Sequence, residues 1–186
     1  MTPDELKSIV EGAIFAAGRA LSIEQLQALF EEGHAPDAGS LRAILDALAA
    51  DYAERGVMLV QVASGWRFQV RTDLGPWVSR LWEERPQRYS RALLETLALI
   101  AYKQPITRSE IEDIRGVTVS TQIVKTLLER EWIRVAGHKE VPGRPALFAT
   151  TRSFLDDFNL RSLADLPALA DIRDLAEIAA ELENAQ

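Results

Sequence analysis

The chain has 186 residues, and its 21 basic and 28 acidic side chains give a net charge of −7. With 47% apolar and 26% charged residues it has the composition of a soluble globular protein, and the absence of cysteine excludes a disulfide framework, an iron–sulfur cluster, a thiolate zinc site and a thiol nucleophile. No apolar run approaches the ~18 residues needed to cross a bilayer, and residues 1–6 lack a signal-peptide pattern, so we expect a cytoplasmic protein.

The first half of the chain predicts three helices followed by a β-hairpin. Apolar residues from Leu6 to Ala17 follow helical spacing up to Gly18, a short helix is expected over residues 23–30, and a third over residues 41–55. The period then changes to two strand-like runs, residues 57–62 and 66–70, separated by a turn. This order is that of a winged helix, a variant of the helix-turn-helix.

The second half repeats this order. Residues 21–26 align with residues 106–111, and both segments carry a capping box, Ser22 with Gln25 and Thr107 with Glu110, which marks a helix start. Three helices are predicted from Leu93, Leu94, Leu97, Ile100 and Ala101, from Ile111 and Ile114, and from Ile123, Val124, Leu127 and Leu128. Strands are predicted at residues 132–136 and 147–150, with a wing at residues 137–145 between them.

We therefore predict an α+β, mainly helical chain with tandem winged-helix domains at residues 1–85 and 86–160 and an acidic C-terminal tail at residues 161–186. Residues 74–89 are expected to form a helical connector whose Trp77, Leu81 and Trp82 belong to the core. In the tail, a narrow apolar stripe predicts a marginal helix over residues 168–183. The stripe consists of Leu169, Ile172, Leu175, Ala179 and Leu182.

Charge is segregated along the chain. Residues 1–86 carry eight basic and thirteen acidic side chains, residues 87–152 eleven and seven, and residues 153–186 two and eight. Only the middle segment, with a net charge of +4, has the sign that attracts phosphate. Ordinary variation in charge explains an excess of this size equally well.

The sequence carries no recognisable catalytic motif. It has no glycine-rich phosphate loop, no paired-histidine zinc helix and no serine in a nucleophile-elbow context. His34 and His138 lie in different halves and in predicted loops, which favours solvated side chains over a metal or acid–base site. We expect no enzyme activity, no cofactor and no bound metal.

The third helix of a winged helix that reads DNA usually carries the base contacts. In the second half, the expected exposed residues of that helix include only one cation before the last turn: Ser120, Thr121, Gln122, Lys125, Thr126, Glu129 and Arg130. In the first half, Asp46, Asp51 and Glu54 would repel phosphate. A sequence-specific regulator is therefore disfavoured.

Three segments of the second half form a long and specific motif. They are residues 95–117, residues 137–155 with the wing Val141-Pro142-Gly143-Arg144-Pro145, and residues 159–167. Together they resemble the segregation and condensation protein B family, densely over residues 90–167 and more loosely over residues 4–85. One departure is Thr118-Val119-Ser120-Thr121, which replaces the more polar start expected for the third helix.

This resemblance implies a non-catalytic subunit of the bacterial structural-maintenance-of-chromosomes (SMC) complex, located in the cytoplasm at the nucleoid. Family members form homodimers through the first winged helix, and they hold the central region of the kleisin subunit, segregation and condensation protein A. The kleisin bridges the SMC ATPase heads, so the chemistry belongs to a partner. The first half is also rich in aromatic residues, which interfaces favour: Phe15, Phe30, Tyr52, Trp66, Phe68, Trp77 and Trp82.

The turn after the first helix of the second half is the candidate kleisin-binding corner. Pro105 cannot continue a helix and biases Gln104 toward extended geometry, which would make the corner rigid. In the wing, the flanking prolines would hold Arg144 ready for a partner carboxylate. Tyr102 could equally cap the core of its own domain. The candidate protein-binding residues are Tyr102, Lys103, Gln104, Pro105, Ile106 and Arg144.

The alternative is a tandem winged-helix protein that binds DNA through its basic segment. Lys139 and Arg144 could contact phosphates from the wing, and Arg108, Arg115 and Lys125 could extend the patch. Because the flanking segments are acidic, we expect at most weak, non-specific DNA binding.

Overall fold

The structure is a computed structural model that describes residues 2–31, 33–81 and 89–168. Within these residues the chain combines helices with two small antiparallel sheets. The buried apolar side chains form two separate cores, one in each half. The prediction of a mixed chain with helices and small sheets is therefore confirmed.

The first half contains three helices and a hairpin in the predicted order. They are α1 (Pro3–Ala17), α2 (Ile23–Gln27), α3 (Ala38–Asp51), β1 (Val57–Val62) and β2 (Gly65–Val70). A capping box of Thr2 and Glu5 opens α1, and Gly18 ends it with a left-handed φ of 60°. The predicted capping box of Ser22 and Gln25 opens α2.

Two of these helices end earlier than predicted. Helix α2 stops at Gln27 instead of residue 30, and α3 stops at Asp51 instead of residue 55. The amides that follow bond to carbonyls three residues back, from Phe30 to Gln27 and from Arg55 to Tyr52, both at 3.1 Å. The chain tightens into single turns there, which an apolar pattern cannot distinguish from a continued helix.

The hairpin is tied to the residue before α2. Val62 pairs with Gly65, so residues 63–64 form a two-residue turn and β2 begins one residue earlier than predicted. Leu21 pairs with Trp66 through two backbone hydrogen bonds of 2.9 Å. Gly65 has a φ of 137°, and a Cβ there would lie 2.1 Å from the Leu21 carbonyl oxygen. Glycine is therefore required for the hairpin to approach Leu21 this closely.

The first core lies where α1 and α3 pack against each other and against the hairpin. Its buried members are Leu6, Val10, Ile14, Leu21, Leu26, Leu41, Leu45, Leu48 and Leu59. The members that lie in α1 and α3 recur at helical spacing, as the sequence predicts. Four of the aromatic residues, Phe30, Tyr52, Trp66 and Phe68, pack against this core from its edge.

The connector begins as a series of short helical turns. Residues 72–74 and 79–81 are 3₁₀ turns, and α4 (Gly75–Val78) lies between them. None of these turns buries a residue, and Trp77 and Leu81 are 64% and 77% exposed. Their assignment to the core is therefore wrong, because a single helical turn presents no continuous face to pack. Trp82 lies outside the described residues.

The second half again starts with three helices, joined by a short strand. They are α5 (Arg91–Lys103), β3 (Ile106–Thr107), α6 (Arg108–Arg115) and α7 (Thr121–Glu129). The predicted capping box of Thr107 and Glu110 opens α6, and Gly116 ends it with a φ of 69°. In the departure from the family motif, Val119 is fully buried and Ser120 caps α7.

A three-stranded sheet follows, in the order β3-β5-β4. Its long strands are β4 (Ile133–His138) and β5 (Ala146–Thr150), with a bulge between Val135 and Gly137. The strand β3 was not predicted, since two residues are too short to show a period of two. It pairs Ile106 with Phe148, so each half ties its capping-box segment to its hairpin.

The chain then forms α8 (Arg152–Asp157) and a 3₁₀ turn at residues 163–165. Leu160 and Leu166 pack against the second core. Its buried members are Leu93, Leu97, Ile100, Ala101, Ile106, Ile111, Val119, Leu127, Trp132, Ile133, Phe148 and Phe154. Apart from residue 168, the predicted tail helix lies outside the described residues.

Candidate protein-interaction surface

The corner after α5 has the predicted extended geometry. Helix α5 ends at Lys103, and Gln104 has a ψ of 145° before Pro105. The Gln104 side chain fixes this corner from inside. Its Oε1 accepts hydrogen bonds from the Thr150 amide at 2.8 Å and the Thr150 hydroxyl at 3.0 Å, and its Nε2 donates to the Ala101 carbonyl at 3.0 Å. The corner is therefore held against β5.

The five corner residues differ in their access to a partner. Ile106 is only 4% exposed and belongs to the core, so its side chain is not part of the surface. The side-chain amide group of Gln104 is already hydrogen-bonded to Thr150 and Ala101. Lys103 and Pro105 are exposed, and Tyr102 is half-buried. These three are the corner residues that a partner could touch.

Tyr102 also binds a distant part of its own chain. Its hydroxyl donates a hydrogen bond of 2.6 Å to the Pro167 carbonyl. Two further contacts order the segment before Pro167: Leu166 packs on the core, and Arg161 binds Asp165 at 3.2 Å. The Tyr102 ring thus sits where the described chain ends, and its hydroxyl is already used.

Arg144 projects from the wing. Its side chain is 71% exposed and lies 3.1 Å from Glu140. The wing is closed by a 2.9 Å hydrogen bond from the Lys139 amide to the Pro145 carbonyl, and the Arg144 amide donates to the Val141 carbonyl. Arg144 itself has a positive φ of 38°. The loop around the guanidinium is therefore hydrogen-bonded at its base and at its tip.

The four candidate DNA contacts outside the wing tip each have a carboxylate partner. The pairs are Arg108 with Glu112 at 3.0 Å, Arg115 with Glu95 at 3.0 Å, Lys125 with Glu129 at 3.6 Å, and Lys139 with Glu110 at 2.6 Å. Arg115 is also mostly covered, with 11% of its side chain exposed. A phosphate would have to compete with these carboxylates, so the four paired side chains are weaker candidates for phosphate contacts than unpaired cations would be.

Glu110 connects the wing to the start of α6. It accepts a hydrogen bond of 2.6 Å from the Lys139 ammonium, and it accepts hydrogen bonds from the amide and the hydroxyl of Thr107, each at 2.8 Å. The Lys139 ammonium, followed by Thr107, lowers the pKa of Glu110 to about 2. One carboxylate therefore serves both the capping box and the wing.

Two other carboxylates of this half have lowered pKa values for similar reasons. The guanidinium groups of Arg91 and then Arg115 lower the pKa of Glu95. The Val119 amide and then the Arg108 guanidinium lower the pKa of Glu112. These carboxylates stay ionised at neutral pH and act as structural partners of the basic side chains.

The first half carries an apolar surface between the end of α1 and strand β2. We call it the Phe15 face. Phe15 is 60% exposed, and its ring centroid lies 5.2 Å from that of Phe68. A cavity of about 270 Å³ opens beside these rings, with Val70 and Arg67 in its lining. The aromatic content of this half identified Phe15 in advance, whereas nothing in the sequence singled out Val70.

The described residues contain no group of three or more histidine, aspartate or glutamate side chains that could hold a metal ion. His34 and His138 are both exposed. Among the same residues, no helix is both long enough and apolar enough to cross a bilayer.

Comparison with known proteins identifies the family. A family model described as "Segregation and condensation complex subunit ScpB" matches residues 8–169. A segregation and condensation protein B homolog of Coxiella burnetii is 56% identical over 94% of this chain and 84% of its own length. Segregation and condensation protein B of Syntrophotalea carbinolica is 45% identical over 93% of this chain and 86% of its own length.

A solved structure titled "Crystal structure of dimer of ScpB N-terminal domain complexed with ScpA peptide" is 28% identical to this chain. It covers 42% of this chain and 96% of its own, with a TM-score of 0.38. A TM-score below 0.5 does not establish a common arrangement. The family model spans most of the chain and the two curated relatives exceed 40% identity, and on these grounds this chain belongs to the ScpB family of segregation and condensation complex subunits.

Proposed function

We propose that this chain is a non-catalytic, homodimeric subunit that binds the kleisin segregation and condensation protein A within the bacterial SMC complex. It would act in the cytoplasm at the nucleoid and reach the SMC ATPase through the kleisin. The observation that carries the proposal is the family match over residues 8–169. The dimer with an ScpA peptide describes another protein, and here the same assembly is a proposal.

We further propose that each half is a winged-helix domain. The support is the order of three helices and a hairpin in both halves, with the capping-box segment paired to the hairpin in each. The proposed domains are residues 1–85 and 86–160, followed by the tail at residues 161–186. The boundary between the domains falls outside the described residues.

The Phe15 face is the proposed homodimer contact. This surface combines an exposed aromatic ring with an exposed Val70 at the edge of a cavity. A second copy of the chain would cover a surface of this kind. Replacing Phe15 by Asp places a charge in that contact without touching a core residue. We expect the native chain to have twice the monomer mass in light scattering at micromolar concentration and F15D to be monomeric. A monomeric native chain, or a folded F15D that remains dimeric, would contradict this assignment.

The exposed part of the corner and the wing form the proposed kleisin contact. Tyr102 offers a ring with a polar tip, Lys103 offers an apolar stem with a charge, and Arg144 offers a guanidinium on a closed loop. Such residues, placed on rigid elements, lose little entropy when they bind a helical segment. Carboxylate partners at all the candidate cations, Arg144 included, support a protein contact over DNA binding here.

Calorimetry against the central region of the kleisin tests this contact. Tyr102→Ala and Arg144→Ala should each weaken binding by about 1 kcal/mol or more, in the range of interface hot spots. Arg91→Ala is the matched control, because Arg91 is also exposed and also paired with a carboxylate four residues away. Tyr102→Phe keeps the ring and removes only the hydrogen bond to Pro167. Unchanged affinity in both alanine variants would show that these residues lie outside the contact. If the native chain did not bind the kleisin, the proposed function would be contradicted.

A further inference from the structure

The turn of the first hairpin meets the end of α8 in the second half. Two turn amides and one arginine of the first half donate hydrogen bonds across this contact. The bonds run from the Ala63 amide to the Leu160 carbonyl at 2.9 Å, from the Ser64 amide to Asp156 Oδ1 at 2.9 Å, from Arg67 Nη2 to the Asp156 carbonyl at 2.8 Å, and from Arg67 Nη2 to Asn159 Oδ1 at 2.9 Å.

The donor side of the contact is rigid. Residues 63–64 form a two-residue turn between the paired Val62 and Gly65, so their amides are not needed within the hairpin. The hairpin is in turn held to Leu21 through the two hydrogen bonds with Trp66. These amides therefore keep a fixed direction relative to the first core.

The acceptor side is an ordered helix end. The Leu160 amide donates to the Leu155 carbonyl at 2.8 Å, and Asn159 takes a left-handed φ of 57°, as in a Schellman motif. A helix end leaves carbonyl groups without partners inside the helix, and it favours a nearby cation. The Arg67 guanidinium supplies that cation to the Asp156 carbonyl.

Arg67 is committed to this position. Its Nε is buried and has no hydrogen-bond partner among the described residues. Burying a donor without a partner costs its desolvation free energy, and a guanidinium that served only as a solvated surface charge would avoid that cost. Its two acceptors both belong to the other half, more than 80 residues further along the chain.

We propose that residues 63–67 and 156–160 form an intramolecular latch that holds the two halves in one orientation. Without it, two domains joined by a linker would be expected to move relative to each other. With it, any partner that touches both halves meets a single preorganised body and loses less entropy on binding. This inference does not depend on what the partner is.

Disulfide trapping in the full chain tests the latch, since the native sequence has no cysteine. The hydrogen bond between residues 63 and 160 brings their Cα atoms within roughly the 4.4–6.8 Å that a disulfide spans. The pair Ala63→Cys with Leu160→Cys should close within one chain under mild oxidation, provided that Leu160→Cys alone, which loses a packing contact with the second core, keeps the native circular dichroism. The control pair, Ala63→Cys with Ser109→Cys, uses an exposed residue of α6 outside the latch and should not close.

Two latch variants make the test specific. Arg67→Leu removes both guanidinium bonds, and Asn159→Gly removes one acceptor while tolerating the left-handed φ. Each should lower the equilibrium constant for latch closure at least about tenfold in a chain whose circular dichroism is native, because a hydrogen bond to a charged group changes an equilibrium by about that factor or more. Trapping then slows in proportion to the closed fraction that is lost. Arg71→Ala, which loses only a pair with Asp73 in its own half, should not slow it.

NMR relaxation of the chain without cysteines gives an independent result. We expect one rotational correlation time for both halves in the native chain and two in Arg67→Leu. Separate correlation times in the native chain would overturn the latch. A disulfide that forms only between two chains would also overturn it, because the contact would then belong to an assembly.

Discussion

Gly65 is the glycine of the first half at which an added methyl group should lower the free energy of unfolding most. In Gly65→Ala, the new Cβ would lie 2.1 Å from the Leu21 carbonyl oxygen, and alanine would have to hold a φ of 137°. The backbone strain costs roughly 1–3 kcal/mol. Relieving the overlap breaks the pairing of Leu21 with Trp66, which is two hydrogen bonds of about 1 kcal/mol each. The expected loss is about 3–5 kcal/mol.

Urea unfolding of the full chain, followed by circular dichroism and tryptophan fluorescence, measures this loss. Gly12→Ala is the control, because Gly12 lies inside α1 and a methyl group added there would meet no other atom within 4 Å. That variant should gain about 0.5–1 kcal/mol, since alanine loses less backbone entropy in a helix. A loss below about 1 kcal/mol in Gly65→Ala would show that the hairpin can move away from Leu21, and the rigidity assigned to the turn would be refuted.

Two further predictions concern charge. The lowered pKa of Glu110 means that its pairs with Lys139 and Thr107 stabilise the fold fully above the ordinary pKa of 4.5 and lose this effect as the pH falls toward about 2. An NMR titration should find the Glu110 pKa raised toward its ordinary value in Lys139→Met but not in Lys125→Met, and an unchanged value in Lys139→Met would exclude the pair as its main cause. Binding to random duplex DNA should be weak and should fall only shallowly with salt, because the five candidate cations are all paired with carboxylates. A thousandfold preference for one DNA sequence would contradict this expectation.

The parts of the fold that sequence could predict are those with a local physical cause. The capping boxes at Ser22 and Thr107 are confirmed because the hydroxyl and its partner three residues later satisfy each other within one turn. The hairpin of the first half is confirmed because the change to a period of two is local as well. The extended geometry of Gln104 follows directly from the ring of Pro105.

The features that escaped prediction join distant residues. Tyr102 reaches Pro167 across 65 positions, and Ser64 reaches Asp156 across 92. Such contacts leave no periodic pattern, because each depends on how two finished elements meet. The exposure of Trp77 escaped for a related reason: its ring is apolar, but it remains 64% exposed because a single helical turn has no continuous face to pack.

The pairing of Ile106 with Phe148 bears on how the wing, the loop between β4 and β5, can vary between related proteins. Strand β5 is held on one side by β3 and on the other by β4, so its register does not depend on the loop that joins it to β4. Insertions or deletions within residues 139–145 would change the reach of the wing while leaving the sheet and the core beneath it in place. A protein built in this way can lengthen or shorten one loop during evolution without having to refold the sheet that carries it.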